Sequence, residues 1–335
     1  MINTIKLTAS AIGLDVGTSR IVAAQRLDKD TQYQTQLNAF VNLPFTKMTQ
    51  GVLKKERIPH LVQDSEITVY GDESERFANL FHRETRRPML RGVLNPGEAD
   101  NLLLVRKIVT LMTGEAAGQG QKLCFSVPAA PLGADHEVNA HEAALTTMLN
   151  DMGYQARSVP EGLAVVYGEM ESSNYTGIGV SCGGGLCNVC LAYLSVPVFS
   201  FSIPKAGDYI DSSVANVRGE PATRIRTIKE QSFHFNGQFA SKVHQALNTY
   251  YEDMIQALVA SIKDAFASSQ SMPALNRPIP MVLCGGSVLA PGFLDRFEKV
   301  LRATELPVAI SEVRLGSSPQ HSTARGALVA ALSEM

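Results

Sequence analysis

Three short runs of small residues are places where a backbone could close around phosphate. Gly17-Thr18-Ser19 and Gly183-Gly184-Gly185 each follow an apolar stretch, and Gly285-Gly286-Ser287 follows Met281 to Cys284. Backbone N–H groups hold phosphate oxygens well, and glycine lets the chain approach them closely. The first two runs read as opposed phosphate clamps. The third reads as a turn that comes close to a flat base and its phosphate. Asp15 ends the strand before the first run. A carboxylate there can orient the waters that Mg²⁺ keeps when bound. A plainer reading stands beside each: an ordinary glycine-rich hairpin for the first two, a strand-to-helix turn for the third.

Other chemistries have less behind them. Cys187-x-x-Cys190 has the spacing of a metal or redox pair, but it falls in a stretch that reads as a strand. Side chains three apart on a strand face opposite sides, so small buried thiols are the better reading. The seven histidines include no HExxH and no His-x-x-x-His spacing, so zinc is not expected. The five cysteines, an odd number in a long chain, do not suggest a disulfide framework.

The elements that must carry these residues alternate. Strands are expected at 12–16, 20–27, 33–41, 67–70, 123–127 and up to Pro160, then at 177–182, 186–194, 197–203, 281–283 and 307–310. Helices are expected at 99–112, 139–152, 162–170, 208–217, 222–230, 239–266, 293–302 and 321–332, with 44–72 otherwise irregular. Such alternation predicts an α/β architecture. Two blocks repeat. Ile12-Gly-Leu-Asp-Val-Gly-Thr-Ser and Ile178-Gly-Val-Ser-Cys-Gly-Gly-Gly are each a strand and a tight turn, followed by a return strand. Their separation is half the chain, which predicts two related halves facing each other across a cleft.

Composition bounds the function. With 335 residues, 45% hydrophobic and 19% charged, the chain is an ordinary globular protein of about two domains. A net charge of -2 gives no footprint for nucleic acid, which is not expected as a partner. No transmembrane run and no signal peptide are read from the sequence, so a cytoplasmic location is expected.

Taken together, these residues resemble the superfamily of actins, sugar kinases and heat-shock chaperone ATPases. Within it, the chain is most similar to bacterial actins of the MreB and MamK type. The resemblance rests on Asp15-x-Gly-Thr-Ser, Ser126-Val-Pro, Pro160-Glu161-Gly-Leu-Ala and Gly183-Gly-Gly. It continues through Ala206-Gly207-Asp208, Ile228-Lys229-Glu230 and Gly285-Gly-Ser with its following Pro-Gly-Phe-Leu-Asp-Arg, in family order along nearly the whole chain.

The resemblance implies two lobes of the actin-like, ribonuclease H-like fold around a nucleotide cleft. They would span 1–160, with an insertion near 33–75, and 161–335, with a helical insertion near 220–270 and a final helix returning to the first lobe. It implies ATP or ADP (or GTP) with Mg²⁺ as cofactors. Asp15 would sit near the metal, and Gly17, Thr18 and Ser19 with Gly183, Gly184 and Gly185 would grip phosphates. Glu161 would orient the attacking water. Gly207, Lys229 and Glu230 would surround ribose and adenine, and Gly285, Gly286 and Ser287 would approach the α-phosphate and base. It further implies a filament of identical copies, with cytoskeletal or membrane-associated proteins as further partners.

One departure stands out. Ser181 occupies the position where the family's second turn has Asp, and Leu186 and Cys187 stand where hydroxyls are common. Losing a preorganised electrostatic partner commonly costs about 10²-fold or more in rate. Binding with weak hydrolysis is therefore the expectation. The alternatives are a non-hydrolysing scaffold of the FtsA or PilM kind, and a small-molecule kinase of the same superfamily. The missing carboxylate counts against the kinase.

Overall fold

A computed structural model describes residues 11–27, 30–118, 120–130, 136–235, 237–239, 241–269, 273 and 277–333. The first half contains β1 (Ala11–Val16), β2 (Arg20–Leu27), β3 (Asp30–Leu37), β4 (Phe40–Pro44), α1 (Lys47–Lys55), β5 (His60–Gln63), β6 (Glu66–Tyr70) and α2 (Glu73–Leu80). It continues with β7 (Met89–Leu90), β8 (Val93–Leu94), α3 (Asn101–Thr113), β9 (Gln121–Val127), α4 (His136–Asp151), β10 (Tyr154–Pro160) and α5 (Glu161–Glu169). The second half contains β11 (Gly177–Cys182), β12 (Cys187–Tyr193), β13 (Val196–Ile203), α6 (Gly207–Arg218), α7 (Ala222–Gln231), α8 (Lys242–Ser268), β14 (Ile279–Cys284), α9 (Phe293–Arg302), β15 (Ile310–Leu315) and α10 (Ser322–Ser333).

The repeat seen in the sequence is a repeat of topology. One five-stranded sheet runs β10-β9-β1-β2-β3 and the other β15-β14-β11-β12-β13. In each, the founding strand pairs antiparallel with its hairpin partner and parallel with the strand that returns after a helix. The two hairpin turns are equivalent: Val16 faces Ile21 across the first and Cys182 faces Cys187 across the second. A smaller sheet, β4-β6-β5, follows β3, with α1 and α2 sharing its core through Leu53 and Ala78.

The helix that follows each sheet in the chain packs on the other sheet. α5 lies on β11 and β12, and α10 lies on β1 and β9. Glycine permits this close approach. A Cβ on Gly13 in β1 would fall 2.2 Å from the Ala324 carbonyl oxygen in α10, and one on Gly179 in β11 would fall 2.3 Å from that of Gly162 in α5. These two glycines hold equivalent places in the repeated blocks. The interlocked helices form a core of their own, containing Ala164, Val165, Ala324 and Ala327 together with Val22 and Cys190 from the sheets.

Some boundaries differ from the sequence expectations. The long helix begins at Lys242, not Phe239, because Ser241 caps it by accepting from the His244 N–H at 3.2 Å. The stretch expected as a single strand at 33–41 breaks after Leu37 into β3 and β4, which belong to different sheets. The last strand begins at Ile310 and runs to Leu315, past the expected 307–310. The region 44–72 holds α1 and β5 besides the expected β6. α1 buries only Leu53, so it has no apolar period to read.

Candidate functional site

The strands of each founding block end at the cleft between the lobes, and so deliver their turns to one cavity of about 300 Å³. Asp15, Gly17, Thr18, Ser19, Glu161, Gly183, Gly184, Gly185, Gly207, Lys229, Glu230, Gly285, Gly286 and Ser287 all line it. These residues come from segments far apart in sequence, and the fold brings every one of them to the same cavity.

The two turns touch. A Cβ on Gly184 would fall 2.1 Å from the Ser19 Oγ, and one on Gly185 would fall 2.4 Å from the Thr18 Oγ1. Gly185 is needed for this contact, because its Cβ would also fall 2.8 Å from the Gly92 backbone nitrogen, whereas at Gly184 the Ser19 hydroxyl could turn aside. Gly286 is different. A Cβ there would meet nothing within 4 Å, and its φ does not lie in the left-handed region. Among the described residues, protein packing does not demand a glycine at 286, a position that lines the cavity.

Asp15 and Glu161 form the acidic end. Asp15 Oδ1 accepts a 2.6 Å hydrogen bond from Ser126 Oγ. Burial pushes its carboxyl up to about 6, against the lowering effect of that bond. Glu161 opens α5, where the helix dipole favours a carboxylate. Burial first, and then the nearby charge of Asp15, push it up to about 8. Two donors converge on Glu161 Oε2: Ser181 Oγ at 3.2 Å and Asn188 Nδ2 at 2.9 Å. The Asn188 amide is fixed because its Oδ1 accepts from the Ala129 N–H at 2.8 Å. Ser181 is thus a hydrogen-bond donor to Glu161, in the place where the resemblance led to an aspartate.

The opposite end is rich in cations. Lys229 Nζ donates to the Gly207 carbonyl at 3.0 Å and pairs with Asp211 at 2.9 Å, with both side chains buried. Burial raises the Asp211 carboxyl, opposed by the Lys229 ammonium. Glu230 pairs with Arg20 of the first lobe at 3.4 Å. Arg226 also lines the cavity; its buried Nε lies 3.9 Å from Asp211 Oδ2 and has no hydrogen-bond partner among the described residues. Phe233 and Tyr251, stacked at 5.1 Å, add an apolar wall. The second turn is tied to this end: the Gly207 N–H and Ser287 Oγ both donate to the Gly183 carbonyl, at 3.1 and 2.9 Å.

Sequence reasoning missed Asn188, Asp211, Arg226 and Arg87. Asn188 had a signal, as the one amide in the otherwise apolar run Cys187–Ala192. Arg87, whose guanidinium reaches Asp208 of the second lobe at 2.7 Å, had none. The cysteines behave as buried thiols. Cys187 faces the core that α8 covers and Cys190 faces α5, on opposite sides of β12. Burial pushes the Cys190 and Cys284 thiols up to about 12.

The carboxylates of Asp15 and Glu161 thus lie in the same cavity as the two glycine turns. Among the described residues no helix is long and apolar enough to cross a membrane.

No curated protein matches the chain in sequence. Solved structures do match in fold. A MamK double helical filament aligns with a TM-score of 0.73 at 22% identity, covering 97% of this chain and 98% of that one. A non-polymerising point mutant of MamK bound to AMPPNP aligns at 0.60, also at 22% identity, covering 96% and 98%. The ethanolamine utilization protein EutJ from Carboxydothermus hydrogenoformans aligns at 0.55 and 16% identity, covering 95% and 89%. At these identities the likeness establishes the actin-like ATPase fold. The model of one protein family matches residues 10–331, nearly the whole chain, and the protein therefore belongs to the volactin family.

Proposed function

We infer that this actin-like protein binds a magnesium nucleoside triphosphate in the cleft and assembles head to tail into filaments, with slow hydrolysis. The observation that carries the reading is the convergence of two equivalent turns, one from each lobe, on a single cavity that also holds a carboxylate pair. The backbone of 17–19 and 183–185 would hold the phosphates. Thr18 keeps its hydroxyl proton available, since its oxygen accepts from the Gly92 N–H at 2.9 Å. Asp15, raised only to about 6 and so ionised at neutral pH, would hold the metal through its waters. The metal, when bound, would neutralise phosphate charge. Glu161 would hold water from its Oε1 side while Ser181 and Asn188 occupy Oε2.

Filament assembly is supported by MamK, solved both as a double helical filament and as a non-polymerising mutant bound to AMPPNP. A contact between two different surfaces of the same chain propagates without closing. Slow hydrolysis follows from Ser181, which brings no charge to hold a metal-bound water. The same feature supports a second reading, a nucleotide-binding scaffold that does not assemble.

Two measurements test this. Calorimetry with ATP and Mg²⁺ should give saturable binding that Asp15→Ala weakens about tenfold or more. Negative-stain microscopy with the nucleotide should show filaments. Binding without filaments would favour the scaffold, substrate-dependent ADP production the kinase, and absence of binding at saturating magnesium would overturn the reading.

A further inference from the structure

The segment 86–95 belongs to the first lobe but reaches across the cleft. Its root is well anchored. Arg86 exchanges backbone hydrogen bonds with Phe40 and pairs with Glu98, and the Asn95 side chain donates to the Arg87 carbonyl at 3.2 Å. Its tip is the turn between β7 and β8. There Arg91 and Gly92 both adopt left-handed φ, at 49° and 79°. The tip wedges between the two glycine turns. The Gly92 N–H donates to Thr18 Oγ1 in the first, and a Cβ on Gly185 of the second would fall 2.8 Å from the Gly92 nitrogen. Next to the tip, Arg87 Nη1 lies 2.7 Å from both carboxylate oxygens of Asp208, at the start of α6.

We propose that residues 86–95 are a strap that holds the lobes closed over the cavity, and that opening the Arg87–Asp208 pair sets the rate at which a bound ligand leaves. Asp208 is itself a cavity residue, and its N–H donates to the Gly184 carbonyl at 2.8 Å. Pulling on Arg87 therefore pulls on the second turn. Among the described residues a second ion pair across the cleft, Arg20–Glu230, holds less firmly. Its side chains are 39% and 50% exposed, against 14% and 34% for Arg87 and Asp208, so water and salt screen it more. Both variants of the Arg87–Asp208 pair break the same contact, so removing either partner should have the same effect.

The ligand part of the test rests on the nucleotide reading above, and a second readout does not. In the full chain with Mg²⁺, a fluorescent ATP analogue is loaded and chased with excess ATP. Arg87→Ala and Asp208→Ala should each speed its release roughly tenfold, the usual effect of removing one partner of a partly buried ion pair. The double variant should be no faster than either, whereas Arg302→Ala, which breaks the exposed Arg302–Glu298 pair away from the cavity, should change release by less than about twofold. Hydrogen exchange of the ligand-free chain gives the second readout: Arg87→Ala should lose protection at the Gly92 amide and across 183–186, while the core of β1 and β11 stays protected. Unchanged release and unchanged exchange in Arg87→Ala would overturn the strap. Loss of protection throughout the chain would mark a folding defect and also count against it. If the parent chain binds no analogue, the nucleotide reading fails and the exchange result alone decides the strap.

Discussion

At the scale of single residues, the cavity separates a glycine that the protein needs from one that it does not. Gly185 faces the opposite turn and the Gly92 backbone, whereas Gly286 faces open space. Gly286→Leu should therefore leave the melting temperature nearly unchanged and weaken nucleotide binding about tenfold or more, by filling ligand space. Calorimetry and thermal denaturation on the same sample check both halves. Glu161 allows a prediction with a sign. Its carboxyl lies near 8 in the fold against 4.5 ordinarily, so the folded chain holds a proton that the unfolded chain releases between those values. The stability this group contributes is full below about pH 4.5 and is lost as pH rises through about 8. Glu161→Gln keeps an oxygen for Ser181 and Asn188 but does not ionise. Its melting temperature, measured without nucleotide, should gain on that of the parent between about pH 5 and about pH 8.5. A constant difference across that range would mean that Glu161 is not buried in a proton-holding site.

At the scale of elements, the interlocked helices are where the two lobes become one structure. A Cβ on Gly326 in α10 would fall 1.6 Å from the Ala164 carbonyl oxygen in α5, so the two backbones are in contact there. Gly326→Ala should cost about 3 kcal/mol or more, since overpacking usually costs roughly 1–3 and backbone cannot rotate away as a side chain does. Urea unfolding would read it as a lower midpoint. The repeated blocks, the turns and the alternation of strand and helix were legible because glycine and apolar period leave a local signature. What could not be read depends on partners far away along the chain. Arg87 sits in a stretch without periodicity and meets a carboxylate 121 residues on. The helix α1 exposes Met48 and Val52 and buries only Leu53, so nothing in its pattern distinguishes it from a loop. Ser181 was legible as a departure. Its hydrogen bond to Glu161 was not, because β11 and α5 come together only where the helix that follows one sheet packs on the other.

At the scale of the whole molecule, the proposed assembly requires the state of the cavity to reach the surfaces that would join copies. Both lobes contribute to the cavity, and the helix that follows each sheet packs on the other, so a ligand that drew the turns together would also fix the angle between lobes. Filament growth would then favour the triphosphate-bound form, and hydrolysis would set how long a filament lasts. Ser181 lengthens that time on this account. Ser181→Asp adds a carboxylate that can hold metal-bound water, but without metal it buries a further carboxyl at a site that now holds a neutral hydroxyl donating to Glu161. Two opposite effects follow. The variant should be less stable than the parent in EDTA, and with saturating Mg²⁺ and ATP it should release phosphate faster. Where filaments form, the faster release should shorten them: the pelletable fraction should reach its maximum and then decline as phosphate accumulates, while that of the parent stays level. Sedimentation at intervals, with phosphate measured in the same tubes, follows both. Faster release with a level pellet would break the link between the cavity and assembly, and unchanged release at full occupancy would show that Ser181 is not what slows the chemistry.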